Sequence, residues 1–170
     1  MKHPPAGGQD GLVSSAAVPR PAPPRRAPPL PAAPPEGPLT VAEALAAVAC
    51  LVPPGRAVSY GALARILGRG GARLAGRAMA EADPGTPWWR VVRADGSLPG
   101  DLAARAAPER DREGTPLRPA AGGLPRVDLA RAAWDPHDDG DGPALAAIAD
   151  LAARVDHGRG SISPASGRTP

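Results

Sequence analysis

Apolar side chains recur at helical intervals in the middle of the chain, and they predict a series of short helices. The first helix is marked by Leu39, Val41, Leu45, Val48 and Leu51. Thr40, with Glu43 three residues later, has the pattern of a capping box, and the Pro-Pro-Gly of residues 53–55 stops the run. The sequence therefore predicts a core helix with a defined start and end.

Two more helices are predicted on either side of a glycine-rich turn. Residues 59–67 begin with a capping serine, residues 68–71 contain three glycines, and a third helix is expected over residues 72–82. Such a pair outlines a helix-turn-helix, whose second helix presents side chains to a nucleic-acid groove. Arg73 and Arg77 lie four apart on one face of that helix and are candidate DNA contacts. Spacing and charge alone fit a solvated basic face equally well.

Composition divides the chain into four segments. Residues 1–38 hold twelve prolines and few large apolar side chains, which predicts a disordered basic arm because such a segment buries too little surface to offset its chain entropy. Residues 39–118 are expected to form one mainly α-helical domain. Residues 119–134 are expected to pack on it as an extension anchored by Trp134. Residues 135–170 are expected to be a mostly disordered acidic tail with one short helix.

Positive charge is concentrated in the predicted domain. The formal net charge is +3, but between residues 56 and 93 seven arginines face only two carboxylates, an excess of +5. Such an excess indicates a polyanion-binding surface. The chain has one cysteine, so no internal disulfide is expected. Its three histidines all lie outside residues 39–118, so we expect no metal site and no cofactor. No apolar run resembles a signal peptide or reaches the about 18 residues of a membrane span, so we expect a cytoplasmic protein. We also expect it to be a monomer.

The motif with the most chemical content is Pro87-Trp88-Trp89-Arg90-Val91-Val92. It follows Val52-Pro53-Pro54-Gly55-Arg56, Ser59-Tyr60-Gly61, and Ala72-Arg73 with Gly76, and it precedes Glu113-Gly114-Thr115-Pro116-Leu117. Through these blocks, residues 39–118 resemble the DNA-binding domain of the O6-alkylguanine-DNA alkyltransferases. The resemblance is closer to their alkyltransferase-like relatives, in which tryptophan replaces the acceptor cysteine. It implies a winged-helix-like helix-turn-helix, with a turn at residues 95–96 as its minimal wing.

The resemblance implies DNA contacts for the predicted helix-turn-helix. Tyr60 corresponds to the tyrosine that presses on the phosphate of the target nucleotide and helps rotate it out of the stack. Arg73 corresponds to the arginine that fills the vacated space. Ala72, Ala75 and Gly76 would let the helix approach the minor groove closely.

The resemblance also implies that the family's chemistry is missing. Alkyl transfer needs a cysteine thiolate, activated by a histidine that is linked through water to a glutamate. Trp88 stands at the cysteine position and Trp89 at the histidine position, which leaves Glu113 without a relay. An indole nitrogen only donates a hydrogen bond, so Trp88 cannot accept an alkyl group. We therefore expect no catalytic residue, and expect the Trp88 ring to stack on an extruded base.

Several of these residues also have a structural interpretation. Tyr60 is alternatively a core aromatic residue. Trp89 either extends the wall of the lesion pocket or packs in the core, and the core is favoured. Pro87, Arg90 and Glu113 are expected to support the motif, with Arg90 bonding to backbone carbonyls.

The sequence thus predicts a non-enzymatic protein that binds duplex DNA and flips O6-alkylguanine into a pocket beside Trp88. By resemblance it would mark the site for nucleotide-excision repair proteins, and it would be associated with the nucleoid when bound to DNA. An active methyltransferase with an unrecognised acceptor stays open, although Cys50, the one thiol, is interpreted as structural. A DNA-binding module without lesion preference also stays open, because the loop expected between Val92 and Glu113 lacks the family's tyrosine.

Overall fold

The computed structural model describes residues 37–121 and 123–159 of the chain. Within them lie α1 (Val41–Leu51), α2 (Tyr60–Leu67), α3 (Ala72–Ala80), α4 (Gly100–Glu113), α5 (Leu129–Ala132) and α6 (Gly142–Arg159). Two short strand pairs accompany these helices: β1 (Val58–Ser59) runs parallel to β2 (Val91–Val92), and β3 (Leu117–Arg118) runs antiparallel to β4 (Arg126–Val127). None of the helices in these two stretches has the length and apolar character needed to cross a bilayer. The predicted arm lies almost wholly outside the described residues, as does the chain from residue 160 onward.

The caps of α1 and α2 form as the sequence predicts. The hydroxyl of Thr40 accepts from the N–H of Glu43 at 3.2 Å, and the carboxylate of Glu43 accepts from the N–H of Thr40 at 2.8 Å. At the start of α2, the hydroxyl of Ser59 accepts from the N–H of Ala62 at 3.1 Å. Gly68 ends α2 in the left-handed region with φ at 71°. Local capping chemistry therefore fixes both helix boundaries.

Helices α2 and α3 form the predicted helix-turn-helix and rest on α1. Leu63 of α2 and Ala75 of α3 are buried in the same core as α1. Gly70 in the connecting turn has φ at 75°, and a Cβ there would come within 3.3 Å of Val41. The turn therefore requires glycine both for its conformation and for its close approach to α1. Helix α3 ends two residues earlier than predicted.

The minimal wing lies elsewhere than predicted. The turn at residues 95–96 forms, with the N–H of Arg93 donating to the carbonyl of Ser97 at 2.9 Å, but no strand follows it. The antiparallel pair is β3–β4 instead. The turn docks on that pair, because the N–H of Val127 donates to the carbonyl of Gly96 at 2.9 Å. A side chain at Gly96 would collide with the carbonyl oxygen of Val127, so tertiary contact shapes this corner.

The chain beyond residue 118 belongs to the folded unit as far as Val155. Trp134, the expected anchor, is buried, and its backbone N–H donates to the carbonyl of Ala57 at 2.9 Å. Helix α6 packs on α1 and α2 through Ala144, Ile148, Leu151 and Val155. The helix expected in this tail forms as α6, whose apolar residues make a helical stripe that the core buries.

Two hydrophobic clusters meet in the middle of the domain. One cluster joins α1, α2, α3 and α6. The other contains Trp89, Val92 and Val127, together with one face of α4. Tyr60 and Trp88 are partly buried and pack against both clusters. These two residues therefore lie at the boundary between the helix-turn-helix and the rest of the molecule.

Candidate nucleic-acid interface

A 3-10 helix at Trp88–Arg90 turns the chain sharply between Pro87 and β2. The N–H of Trp88 donates to the carbonyl of Thr86 at 2.8 Å, and the N–H of Arg90 donates to the carbonyl of Pro87 at 3.0 Å. The two indole rings leave this turn at 84° to each other, with their centroids 6.0 Å apart. Adjacent tryptophans therefore enter different surroundings.

The side chain of Trp89 points into the core and ends on Glu113. Trp89 is 9% exposed, and its Nε1–H donates to Oε1 of Glu113 at 3.0 Å. The same carboxylate accepts from Nη2 of Arg90 at 2.8 Å and from the N–H of Gly55 at 3.2 Å. Arg90 also donates from Nη1 to the carbonyl of Val52 at 2.5 Å, as predicted for a residue that supports the motif. The geometry favours the core interpretation of Trp89.

The carboxylate of Glu113 acts as a buried structural anion. Burial by itself would raise the pKa of Glu113. The hydrogen bonds from Arg90, Trp89 and Gly55, together with the charge of Arg90, outweigh burial and bring the pKa below its ordinary value of 4.5. Because these donors occupy both carboxylate oxygens, Glu113 holds the motif in place without needing a relay.

Arg110 is a supporting residue that the sequence analysis missed. It is 3% exposed, and its Nε and Nη2 donate to the carbonyl of Trp89 at 3.2 and 3.1 Å. Arg110 and Glu113 lie about one helical turn apart on α4, and both side chains contact Trp89. A loop was expected here from the family resemblance, and Pro108 lies within the helix that forms instead. The four alanines of residues 103–107 were the signal that could have indicated a helix.

Trp88 keeps part of its ring accessible at the boundary of the two clusters. Arg105 of α4 is exposed, and its guanidinium carbon lies 5.4 Å from the centroid of the Trp88 ring. This distance is that of a cation–π contact, which places a positive charge over the Trp88 ring. Arg105 was not singled out from the sequence, because its contact depends on the unpredicted α4.

Tyr60 is held close to the tryptophan turn by the β1–β2 pair. It follows Ser59, which is paired with Val92 two residues beyond the turn. Burial raises the pKa of Tyr60 by more than the charges of Arg93 and Arg110 lower it, so the phenol carries its proton at neutral pH. Its hydroxyl is therefore a hydrogen-bond donor, suited to a phosphate oxygen.

Helix α3 presents the predicted contact residues on its outer face. Ala72, Arg73 and Arg77 are exposed, and a Cβ added at Gly76 would meet nothing within 4 Å. Ala75 was expected to share this face but is buried in the core. It is one position from Gly76, which rotates it about 100° around the helix axis. The surface available for close approach is therefore formed by Ala72 and Gly76.

Cys50 does not join this site. It is half-buried on α1, beside a groove of about 890 Å³ whose lining includes neither Trp88 nor Tyr60. Burial raises the pKa of the Cys50 thiol by more than the charge of Arg90 and a hydrogen bond with Thr86 lower it. A protonated, half-buried thiol is a poor nucleophile, which supports its interpretation as a structural residue.

Comparisons with known proteins bear on this domain. The family model for the DNA-binding domain of 6-O-methylguanine DNA methyltransferase matches residues 40–114. Among solved structures, S. pombe Atl1 in complex with damaged DNA containing O6-carboxymethylguanine is 25% identical, with a TM-score of 0.51, over 56% of this chain and 94% of that chain. S. pombe ATL in complex with DNA is 27% identical, with a TM-score of 0.49, over 58% of this chain and all of that chain. No curated protein matches the sequence.

Residues 40–114, less than half of the chain, therefore resemble the DNA-binding domain of the 6-O-methylguanine DNA methyltransferase family. Within that class, the domain is similar to the alkyltransferase-like protein Atl1, as the motif blocks predicted. The helix-turn-helix of α2 and α3 is the part of the domain that carries the basic face. Helices α5 and α6 lie beyond the family match.

Proposed function

We propose that this protein is a non-enzymatic sensor of O6-alkylguanine in duplex DNA. The observation that carries the proposal is the half-buried ring of Trp88, which lies within the segment that matches the family model. The order of the motif blocks implies that Trp88 corresponds to the family's acceptor cysteine. The similarity to Atl1, whose structure contains DNA with O6-carboxymethylguanine, supports the same class of lesion.

Recognition without alkyl transfer follows from the side chains at the turn. Trp88 offers a flat ring on which an extruded base can stack, which is worth about 1–3 kcal/mol per base. It has no lone pair available for attack on an alkyl carbon. Cys50, the one thiol, is half-buried with a raised pKa and lines a groove that does not include Trp88.

Extrusion of the base is assigned to α2 and α3. The phenol of Tyr60 presses on the phosphate of the target nucleotide, and Arg73 enters the space that the base leaves. Unstacking and unpairing cost a few kcal/mol and less for a damaged pair, so selection for the lesion begins before the base meets Trp88. Arg77, Ala72 and Gly76 provide charge and close approach along the same helix face.

The bound complex is proposed to act as a mark for nucleotide-excision repair proteins. A protein that holds the lesion without altering it needs another activity to remove it. We further propose a cytoplasmic monomer that becomes associated with the nucleoid through DNA.

The proposal is tested by binding to two duplexes that differ only in O6-methylguanine or guanine, at near-physiological salt. The native protein should prefer the lesion by about tenfold or more, equivalent to about 1.4 kcal/mol. Trp88→Ala should abolish the preference and leave binding to the undamaged duplex, whereas Trp88→Phe should retain much of it.

Two results would contradict the proposal. Equal affinity of the native protein for both duplexes would reduce the domain to a DNA-binding module. A mass increase of one methyl group on the intact protein after incubation with the lesion duplex would make it a methyltransferase. Thermal unfolding of each variant checks that lost preference does not reflect lost folding.

A further inference from the structure

The groove beside Cys50 lies between α1, the carboxyl end of α3 and α6. Small side chains form much of its lining, among them Ala46, Ala47 and Ala147. Because α6 lies beyond the family match, one wall of the groove is supplied by this chain's own extension. The groove is thus an addition to the DNA-binding domain.

The lining of the groove is acidic. It contains the carboxylates of Glu43, Glu81, Asp83 and Asp150. The cation in the lining is Arg154, which lies 3.7 Å from Asp150. Helix α3 ends at this groove, so its terminal carbonyls add negative partial charge. A chain of net charge +3 therefore contains a local acidic surface with an apolar floor.

We propose that residues 19–31 of this chain, in the amino-terminal arm, dock in the acidic groove. This segment carries Arg20, Arg25 and Arg26, and its other residues are prolines, alanines and one leucine, with no carboxylate. Its arginines match the carboxylates of the lining, and its small apolar residues match the alanine floor. Because proline already restricts the backbone, the segment loses less conformational entropy when it binds.

The connection to the folded unit brings the segment to the groove. The carbonyl of Gly37 accepts from Nε of Arg154 at 3.0 Å, and Thr40 lines the groove. Arg26 precedes Gly37 by eleven residues, a length that can span up to about 36 Å. A short tether gives an effective concentration on the order of millimolar, which favours a contact that would be weak between separate molecules. The groove then competes with DNA phosphates for the same arginines.

The single cysteine provides the test. Cys50 lines the groove, so a docked segment should slow its reaction with iodoacetamide, a neutral reagent. In the full chain, Arg20→Gln with Arg25→Gln and Arg26→Gln should raise the rate roughly threefold, as expected when a contact of millimolar affinity is lost. The matched control, Lys2→Gln with Arg131→Gln and Arg168→Gln, removes the same charge elsewhere and should leave the rate unchanged.

Charge reversal tests whether the arm and the groove recognise each other through opposite charges. Glu81→Lys with Asp83→Lys should also raise the rate, and adding Arg25→Glu with Arg26→Glu should restore protection. Equal rates in the native protein and the first arm variant would overturn the proposal. Protection that grows with protein concentration would assign the groove to a second copy and would overturn it as well. Neither outcome depends on lesion recognition.

Discussion

Trp88 and Trp89 are neighbours of the same residue type, yet the structure gives them opposite surroundings. Trp89 is enclosed, and its one polar group donates to Glu113. Trp88 remains half-buried, with Arg105 over its ring. A tryptophan whose indole N–H has a hydrogen-bond acceptor inside the core stabilises the fold, whereas one whose ring is partly exposed can bind a partner. Substitutions on the two sides of the turn should therefore affect different measurements.

The largest effect is expected for Glu113→Ala, which removes the acceptor of the buried Trp89 indole. Its carboxylate is 1% exposed, and its loss would leave Arg90 and the Trp89 indole without their acceptor. Breaking a buried pair should lower the free energy of unfolding by about 3–5 kcal/mol, measured by chemical denaturation. The control is Glu109→Ala on the same helix, which removes an exposed pair with Arg112 and should cost less than about 1 kcal/mol. Similar losses in both variants would show that Glu113 is not the centre of the motif.

Trp89→Phe should separate stability from recognition. The change keeps an aromatic ring but removes the N–H, so an acceptor on Glu113 loses its donor. We expect a loss of about 1–3 kcal/mol in the free energy of unfolding, with the preference for O6-methylguanine retained. If Trp89→Phe abolished the preference while Trp88→Phe preserved it, Trp89 rather than Trp88 would line the pocket.

Acid should lower the stabilisation that the Glu113 carboxylate gives to the folded state. The pKa of Glu113 is lowered in the folded state, so its stabilisation is present above about pH 4.5 and is lost as the pH falls through the folded value. In that window the advantage of the native protein over Glu113→Gln should shrink by about 1.4 kcal/mol per pH unit. Denaturation curves from pH 6 downward would measure it. An advantage that stays constant with pH would mean that the folded pKa is unperturbed.

The smallest effect is expected for Arg105→Ala, which removes the cation next to the Trp88 ring. Loss of an exposed cation–π contact is worth about 0.5–1 kcal/mol, or roughly a two- to fivefold change in lesion affinity. Arg112→Ala removes the same charge from α4 without reaching Trp88. If both variants weaken lesion binding equally, Arg105 acts through its charge alone.

Local signals in the sequence predicted much of the fold. The capping box at Thr40 and the left-handed Gly68 depend on residues within a few positions of each other, and both appear as predicted. Helix α4 was missed because the segment between Val92 and Glu113 was interpreted as the family's loop. The two-residue strands owe their pairing to contacts between distant segments, such as that of Gly96 with Val127. No short-range pattern could reveal them.

Some residues of the candidate site could likewise be predicted from local sequence, and others could not. Trp88, Arg90 and Glu113 could be found from the motif, because their order along the chain is itself the signal. Arg110 and Arg105 could not, since both depend on α4 for their positions. The hydrogen bond from Trp89 to Glu113 was also unforeseen, because the replacement of histidine was interpreted only as a loss.

The hydrogen bond between Trp89 and Glu113 limits what one substitution can achieve. Cysteine at position 88 would stand beside an indole, which cannot take the thiol proton. Glu113 would remain engaged with Arg90, Trp89 and Gly55, so the thiol would have no base. Two adjacent substitutions would be needed, and the first of them alone would bring no benefit. The turn therefore places thiol chemistry at position 88 more than one mutational step away.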